Sequence, residues 1–209
     1  MIEPVHILLI ESQPLTRIGI RTVLAEQEQI VLVAESDNAA EGFSKFKELE
    51  PDVTILGLRF PDSCTIDDLD KYFTENKNAR IIMLADHAGD AEISRALNKG
   101  AAGYICKNVE PADLIKAIQI VNKGSRFIPD DIARIIDDNL GSEELTPSEE
   151  NVLRMLVGGM SNKEISFALD VSENTVKTHI KNLYDKIGVS DRASAATVAI
   201  KRGLIRIDL

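Results

Sequence analysis

Residues 161–187 read SNKEISFALDVSENTVKTHIKNLYDKI, and the fold of the C-terminal third is decided by this stretch. Ser161 and Glu164 have the spacing of a capping box, in which hydroxyl and carboxylate each take one unpaired backbone N–H at a helix start. Ile165, Ala168 and Leu169 follow as a short apolar face, Asp170-Val171 makes a tight turn, and Ser172 caps a longer helix that stops at Gly188. Two helices joined by so short a turn predict a helix-turn-helix unit. At ~100° per residue, Val176, Ile180, Leu183 and Ile187 share one face of the second helix, which must enter a core. Asn174, Lys177, Thr178, Lys181 and Asp185 share the opposite face, and His179 falls between the two. A helix presenting lysines beside short polar groups suits a DNA major groove, although a solvated surface helix carries the same residues.

Outward from this unit the signals stay helical on both sides. Thr146-Pro147-Ser148-Glu149 is an N-cap, a proline in the first turn and a capping-box acid, and its helix runs through Val152, Leu153, Leu156 and Val157 to Gly158-Gly159. Ser190 is expected to cap a fourth helix that ends near Gly203. Residues 125–144 are expected to be a linker, punctuated by Pro129 and Gly141 and rich in Asp, with a short helix over Ile132–Ile136. Residues 1–124 change character. Val5–Ile10, Ile30–Ala34, Val53–Leu56, Ile81–Leu84 and Gly103–Cys106 read as buried strands, alternating with helical patterns. Five such repeats imply an α/β domain, a doubly wound five-stranded parallel sheet with helices on both faces. Ligands of such sheets bind at the carboxyl ends of the strands, here Glu11-Ser12, Gly57-Leu58, Ala85-Asp86 and Cys106-Lys107.

Composition narrows the class. The chain has 209 residues, 44% hydrophobic and 28% charged, which is ordinary for globular protein. Cys64 and Cys106 lie too far apart for a CxxC, so neither a disulfide framework nor a zinc site is supported. No apolar run approaches the ~20 residues that span a bilayer, and the N-terminus lacks a secretory pattern, so a cytoplasmic protein without a membrane partner is expected. The net charge of −10 speaks against nucleic acid at first. Residues 1–141 carry 15 Lys+Arg and 24 Asp+Glu, a net −9, whereas residues 142–209 carry 9 and 10, a net −1. The acidity therefore belongs to one module.

SNKEI, TVKTHIKNLYDKIGV and SDRASA together closely resemble the LuxR-type helix-turn-helix domain of NarL/FixJ response regulators, over nearly the whole of residues 145–204. The resemblance implies an all-α four-helix domain whose third helix enters the major groove, with Lys177, Thr178 and Lys181 at base edges and phosphates. Asn174 lies on the same face, and Asn162, Lys163 and Thr175 are candidates for phosphate contacts near helix N-termini. His179 is expected to be partly packed. The fourth helix, around Ala193–Val198, is the implied contact of a homodimer on paired half-sites of double-stranded DNA.

HILLIESQPLTRIGIRTVL, PDVTILGLRFP and NKGAAGYICK resemble the receiver domain of the same regulators, of two-component phosphorelay signalling. In typical receivers an acidic pair after the first strand and an Asp ending the third hold Mg²⁺, the Asp takes the phosphoryl group, and a hydroxyl residue and a Lys bind its oxygens. Here the acidic pair falls on Glu11 and Ser12, the acceptor on Gly57 and the hydroxyl position on Ala85; only Lys107 matches outright. Glycine has no nucleophile to offer. The expectation is a non-enzymatic regulator with a degenerate receiver, no metal and no cofactor. Alternatives stand open: a substitute acceptor at Asp52, Asp62 or Asp86; a small anionic ligand or protein partner at the vacated pocket; or a plain Glu11–Lys107 ion pair that closes it. Cys106 is either a sensor whose thiol Lys107 activates or a buried thiol. Tyr104 stands where many receivers carry a switch aromatic, and Leu15, Ile18 and Thr22 either form a dimer face or pack on the sheet.

Overall fold

Strands with both faces covered read as continuous apolar runs, because neither side meets water. Val5–Ile10 (β1), Ile30–Ser36 (β2), Val53–Gly57 (β3), Ile81–Ala85 (β6) and Gly103–Cys106 (β7) are runs of this kind. In the computed structural model, which describes residues 3–61, 63–87, 89–138 and 145–205, they form one sheet. All pairs are parallel, in the order β2-β1-β3-β6-β7. The order reverses between β1 and β3, and their carboxyl ends open a crevice at that switch point. Helices Pro14–Ala25 (α1), Ala39–Leu49 (α2), Thr65–Glu75 (α3), Asp90–Asn98 (α4) and Pro111–Asn122 (α5) supply the crossovers. On one side of the sheet Ile7, Leu9, Ile55, Ile82 and Ile105 pack under Ile20 and Leu24 of α1 and Leu114, Ile118 and Val121 of α5. Tyr72 of α3 meets Phe43 and Phe46 of α2 edge to face, 4.9 Å from each ring.

One element has no counterpart in the sequence reading. Arg59–Phe60 (β4) and Ser63–Cys64 (β5) pair antiparallel as a small hairpin between β3 and α3. Two-residue strands carry too little periodicity to be seen beforehand. Asp62 lies outside the described residues. The connector contains a helix longer than Ile132–Ile136, Asp130–Asp138 (α6).

The chain forms two compact units, and the second is all helix. Pro147–Val157 (α7), Asn162–Leu169 (α8), Glu173–Ile187 (α9) and Arg192–Lys201 (α10) close around Val152, Leu153, Leu156, Ile165, Val176, Leu183, Ile187, Ala195 and Ala199. Both capping boxes are formed: Thr146 Oγ1 accepts from Glu149 N at 3.3 Å and Ser161 Oγ from Glu164 N at 3.3 Å. The turn of the helix-turn-helix is a Schellman motif, with Val171 N donating to Ser166 O and Asp170 N to Phe167 O. Asp170 takes the left-handed position at φ 53°, a place more often held by Gly or Asn. The fourth helix starts differently from the expectation: Asp191, not Ser190, is its N-cap, accepting Ser194 N at 2.9 Å. A carboxylate one residue later adds charge to the cap geometry, which a hydroxyl does not match. Among the described residues no helix is long and apolar enough to cross a membrane.

Candidate functional site

The crevice at the carboxyl ends of the strands is built around one buried carboxylate. Glu11 leaves β1 with its backbone N–H bonded to Ser36 O, and its side chain is fully buried. Oε1 accepts from Lys107 Nζ at 2.9 Å and from the backbone N–H of Gln13 at 2.8 Å. Oε2 is buried without a hydrogen-bond partner. It points at Gly57, where a Cβ would overlap it well inside van der Waals contact and lie 3.1 Å from Ile10 O. In this rotamer the end of the Glu11 side chain fills the space beside Gly57, and a side chain at position 57 requires that carboxylate to turn away. Ser12 donates its hydroxyl proton to Arg59 O at 3.1 Å, which ties it to the β4–β5 hairpin. Ala85 closes the floor as a fully buried methyl group.

Lys107 follows β7, its backbone N–H bonded to Ala85 O, and its ammonium faces two carboxylates. Besides Glu11 it reaches Asp86 Oδ1 at 3.2 Å; the Asp86 side chain is 43% exposed, against 10% for Lys107. The plain ion pair is therefore present, with Asp86 as a third member. Gln13, absent from the sequence-based site, joins the group by donating Nε2 to Asp86 Oδ1 at 3.1 Å. Its place just before the α1 proline is the one signal that marked it. Arg17 fixes the same loop by donating to the Glu11 and Ser12 carbonyls. Asp52 sits at the opposite end of β3, accepting the backbone N–H of His6 at 2.8 Å, and so is not part of the crevice. Tyr104 is fully buried, its hydroxyl 3.4 Å from His87 O. Burial, then Asp131 and Asp86, raise the Cys106 thiol above its ordinary value, which disfavours an activated thiolate; the residue is half-buried rather than buried.

The outer surface of α1 does not pack on the sheet. Leu15 is 83% and Ile18 48% exposed, and Thr22 is exposed beside them. Leu15 borders a groove of about 390 Å³ whose lining includes Gly19, Leu84, Lys107, Val109 and Pro111.

In the second unit, α9 separates its faces as its sequence period requires. Val176, Leu183 and Ile187 are buried, Ile180 and Tyr184 pack against them, and His179 is half-buried. Asn174, Lys177, Thr178, Lys181 and Asp185 are exposed. Thr178 Oγ1 donates to Asn174 O at 3.0 Å, so part of its capacity is already used within the helix. Thr175 is tied into the Ser172 cap, its N–H 3.1 Å from Ser172 Oγ. Asn162, half-buried, and Lys163, exposed, stand in the first turn of α8, where unpaired N–H groups and the helix dipole favour an anion. On α10, Ala193, Thr197 and Ile200 are exposed while Ala195 and Ala199 are buried.

A doubly wound sheet of flavodoxin-like order, joined to a four-helix unit with a helix-turn-helix, is the make-up of a response regulator. Residues 7–119 match the model of the response regulator receiver domain, and residues 143–199 that of the bacterial regulatory proteins of the luxR family. The nitrate/nitrite response regulator protein NarL of Escherichia coli K12 is 30% identical over 203 residues, 93% of this chain and 94% of its own. A homologous nitrate/nitrite response regulator protein of Haemophilus influenzae is 33% identical over 203 residues, 95% of this chain and 97% of its own. RcsB from Salmonella enterica serovar Typhimurium, solved on promoter DNA with a phosphomimetic, superposes with a TM-score of 0.75. It covers 96% of this chain and 100% of its own at 24% identity, a likeness of fold. The chain belongs to the NarL/FixJ response regulators with a LuxR-type helix-turn-helix domain.

Proposed function

We propose that the protein is a cytoplasmic, non-enzymatic transcriptional regulator that binds paired DNA half-sites as a homodimer and whose receiver operates without aspartyl phosphorylation. The observation that carries the second half is the Glu11 carboxylate lodged against Gly57. An acyl phosphate needs a carboxylate nucleophile, and position 57 has none. Mg²⁺ wants several oxygen ligands. The residues present do not fit it: Glu11 is held by an ammonium, Ser12 is turned to Arg59 O, and Gly57 and Ala85 offer no side-chain donor. Among the described residues no cluster of three or more His, Cys, Asp or Glu is arranged to hold a metal ion. The small-anion alternative is disfavoured because Glu11 and Asp86 together outweigh the one ammonium. The exposed Leu15–Ile18 face instead favours a protein surface, a second receiver, as what binds there.

On the DNA side, Lys177, Thr178 and Lys181 read or grip the major groove, with Asn174 beside them. Thr175, Asn162 and Lys163 hold phosphates near helix N-termini. Support comes from the exposure of all of these but the half-buried Asn162, and from Lys177 and Lys181 having no ion-pair partner among the described residues. Residues 1–124, 125–144 and 145–209 are taken as receiver, linker and DNA-binding domain. Two measurements test the reading. Incubation with acetyl phosphate and Mg²⁺ is expected to leave the intact mass and the DNA affinity unchanged, and a stoichiometric phosphorylated species refutes phosphorylation independence. Genome-wide mapping of DNA bound by the unmodified protein is expected to return a two-fold-symmetric site; no enrichment at any site refutes the regulator.

A further inference from the structure

At the amino ends of β6 and β7, the edge of the sheet opposite the crevice, three segments meet: residues 76–80 (NKNAR), 97–102 (LNKGAA) and 121–127 (VNKGSRF). Together they hold five Lys or Arg and no Asp or Glu, in a unit that is otherwise acidic. Ala102 joins them, donating its N–H to Ile81 O at 2.8 Å and accepting from Phe127 N at 2.9 Å. Between them lies a pocket of about 410 Å³ whose lining includes Asn78, Ala79, Arg80, Ala102, Val121 and Arg126. Cations beside helix C-termini often act as caps. Here the backbone does that work. Gly100 N and Ala101 N donate to Leu97 O and Ala96 O at the end of α4, and Gly124 N and Ser125 N to Val121 O and Ile120 O at the end of α5. Both are Schellman motifs, with Gly100 at φ 103° and Gly124 at φ 81°. Arg126 adds only a long contact of 3.5 Å to Leu97 O. Lys99 is paired with Asp70, and Asp52, leading into the neighbouring β3, is held by His6. Lys77, Arg80, Lys123 and Arg126 have no carboxylate partner among the described residues. Glu75, the last residue of α3, is the nearest carboxylate in sequence and is not part of the lining.

The ends of α3, α4 and α5 bring roughly half a negative charge each to this edge, less than the four unpaired cations. The balance is positive, and it surrounds a concavity of the size that takes small ligands, about 300–1,000 Å³. Two guanidinium groups in the lining match the oxygens of a phosphoryl group, each able to give two parallel N–H donors. Four uncompensated cations call for several negative charges in a small volume. An extended acidic peptide spreads its charges at about 3.3 Å or more per residue along the chain and fits this less well. None of the lining residues described is aromatic, so a nucleobase finds no face to stack on. We propose that this pocket is a binding site for a diphosphate group, gripped by Arg80 and Arg126, with Asn78 beside them and Lys77 and Lys123 on the surrounding loops. Ala79, Ala102 and Val121 form its apolar wall. The pocket lies wholly in the first unit, so the site does not depend on whether the protein binds DNA.

The test titrates the full chain with inorganic pyrophosphate by calorimetry at low salt, with sulfate at matched ionic strength as the control anion. Saturable one-site binding of pyrophosphate is expected, weakening as salt is raised, with sulfate much weaker. Arg126→Gln changes an exposed residue and is expected to melt like the wild type. It should weaken pyrophosphate roughly tenfold or more, the range of a lost charge-assisted hydrogen bond, and Arg126→Lys should restore part of that loss. Arg80→Gln should act alike, read only if its melting temperature is kept. Lys77→Gln and Lys123→Gln should each cost about two- to threefold, and Lys47→Gln, an exposed cation on α2, nothing. ADP carries the same group as part of a nucleotide and is expected to bind more weakly; tighter binding of ADP upholds the site and names a nucleotide as the source of the diphosphate. No saturable binding with a Kd below about 1 mM overturns the inference. So does binding that Arg126→Gln leaves unchanged, which places the anion elsewhere. An oligoglutamate peptide that binds as tightly as pyrophosphate makes this an acidic-protein surface, and loss of affinity for duplex DNA in Arg126→Gln makes it a DNA contact; either overturns it.

Discussion

Lys107→Met isolates the energetics of the crevice. In the wild type the Lys107 ammonium lies 2.9 Å from Glu11 Oε1, and Glu11 is fully buried with Oε2 unpaired. Methionine keeps much of the apolar stem but withdraws the charge, leaving a buried carboxylate with only the Gln13 N–H. Removing one partner of a buried pair costs about 3–5 kcal/mol. The Asp86 contact adds less than about 1 kcal/mol, because that carboxylate is 43% exposed and screened by water. At roughly 2–4 °C per kcal/mol for a chain of this length, the transition of the first unit should drop by about 6–20 °C. Glu11→Gln should cost less, since Lys107 keeps Asp86 and a path to solvent. The double variant should recover part of the Lys107→Met loss, a coupling of at least about 2 kcal/mol. The chain has no Trp and three Tyr, two of which, Tyr72 and Tyr104, are buried in the first unit. Tyrosine fluorescence in urea, with calorimetry alongside, therefore follows the right transition. A Lys107→Met loss below about 1 kcal/mol, or strict additivity in the double variant, refutes the claim that the pair holds the crevice shut.

Gly57→Asp is expected neither to restore phosphorylation by acetyl phosphate, read by intact mass, nor to leave stability unchanged, because its Cβ collides with Glu11 Oε2 and sets two carboxylates together. Lys177→Ala and Lys181→Ala are each expected to weaken DNA binding and lower the salt slope of log K by about one without changing the melting temperature, as gel shifts over a salt series would report. In the second unit, burial pushes the Glu149 carboxyl up, but the Thr146 backbone N–H, Lys186 and the Thr146 hydroxyl outweigh it and hold it below its ordinary value of 4.5. A depressed folded value means this stabilisation is complete above about pH 4.5 and is lost as pH falls through the folded value, so the melting temperature of this unit should decline there and Glu149→Gln should flatten the decline.

Much of the fold was legible because its signals are local. β1 and β7 fall on the apolar runs Val5–Ile10 and Gly103–Cys106. Capping boxes at Thr146 and Ser161 are complete in four residues, so no distant contact is needed to recognise them. The hairpin at Arg59–Cys64 was not legible, since two-residue strands have no period to detect. The Asp191 cap was missed because Ser190 is an equally good cap in sequence, and only the extended backbone at Asp191, φ −146°, decides between neighbours. In the crevice, residue identities marked Glu11, Gly57 and Lys107, but not that Glu11 turns into the gap at Gly57. That depends on a side-chain rotamer set by residues 46 and 96 positions away. Gln13 stayed outside the assigned site for the same reason, its pairing with Asp86 spanning 73 residues, whereas Asp86 was marked by its place at a strand end.

The geometry of the crevice bears on how such a receiver responds to a signal at all. A phosphoryl group shifts a two-state equilibrium only through contacts that differ between the states. In this crevice the lysine that would gain such a contact is already neutralised by Glu11 and Asp86, and the methyl group of Ala85 has nothing to offer a phosphoryl oxygen. The internal charges are closed on one another, so a ligand entering there must first break a buried pair. The outer face of α1 carries no such penalty: Leu15 and Ile18 are in water, and covering them returns free energy at about 25 cal/mol per Å² of apolar surface. Whatever state the receiver holds, the cheaper place to bias it is this surface, by association with another receiver. On the proposed phosphorylation-independent reading, control passes from the chemistry of one aspartate to the concentration of a partner.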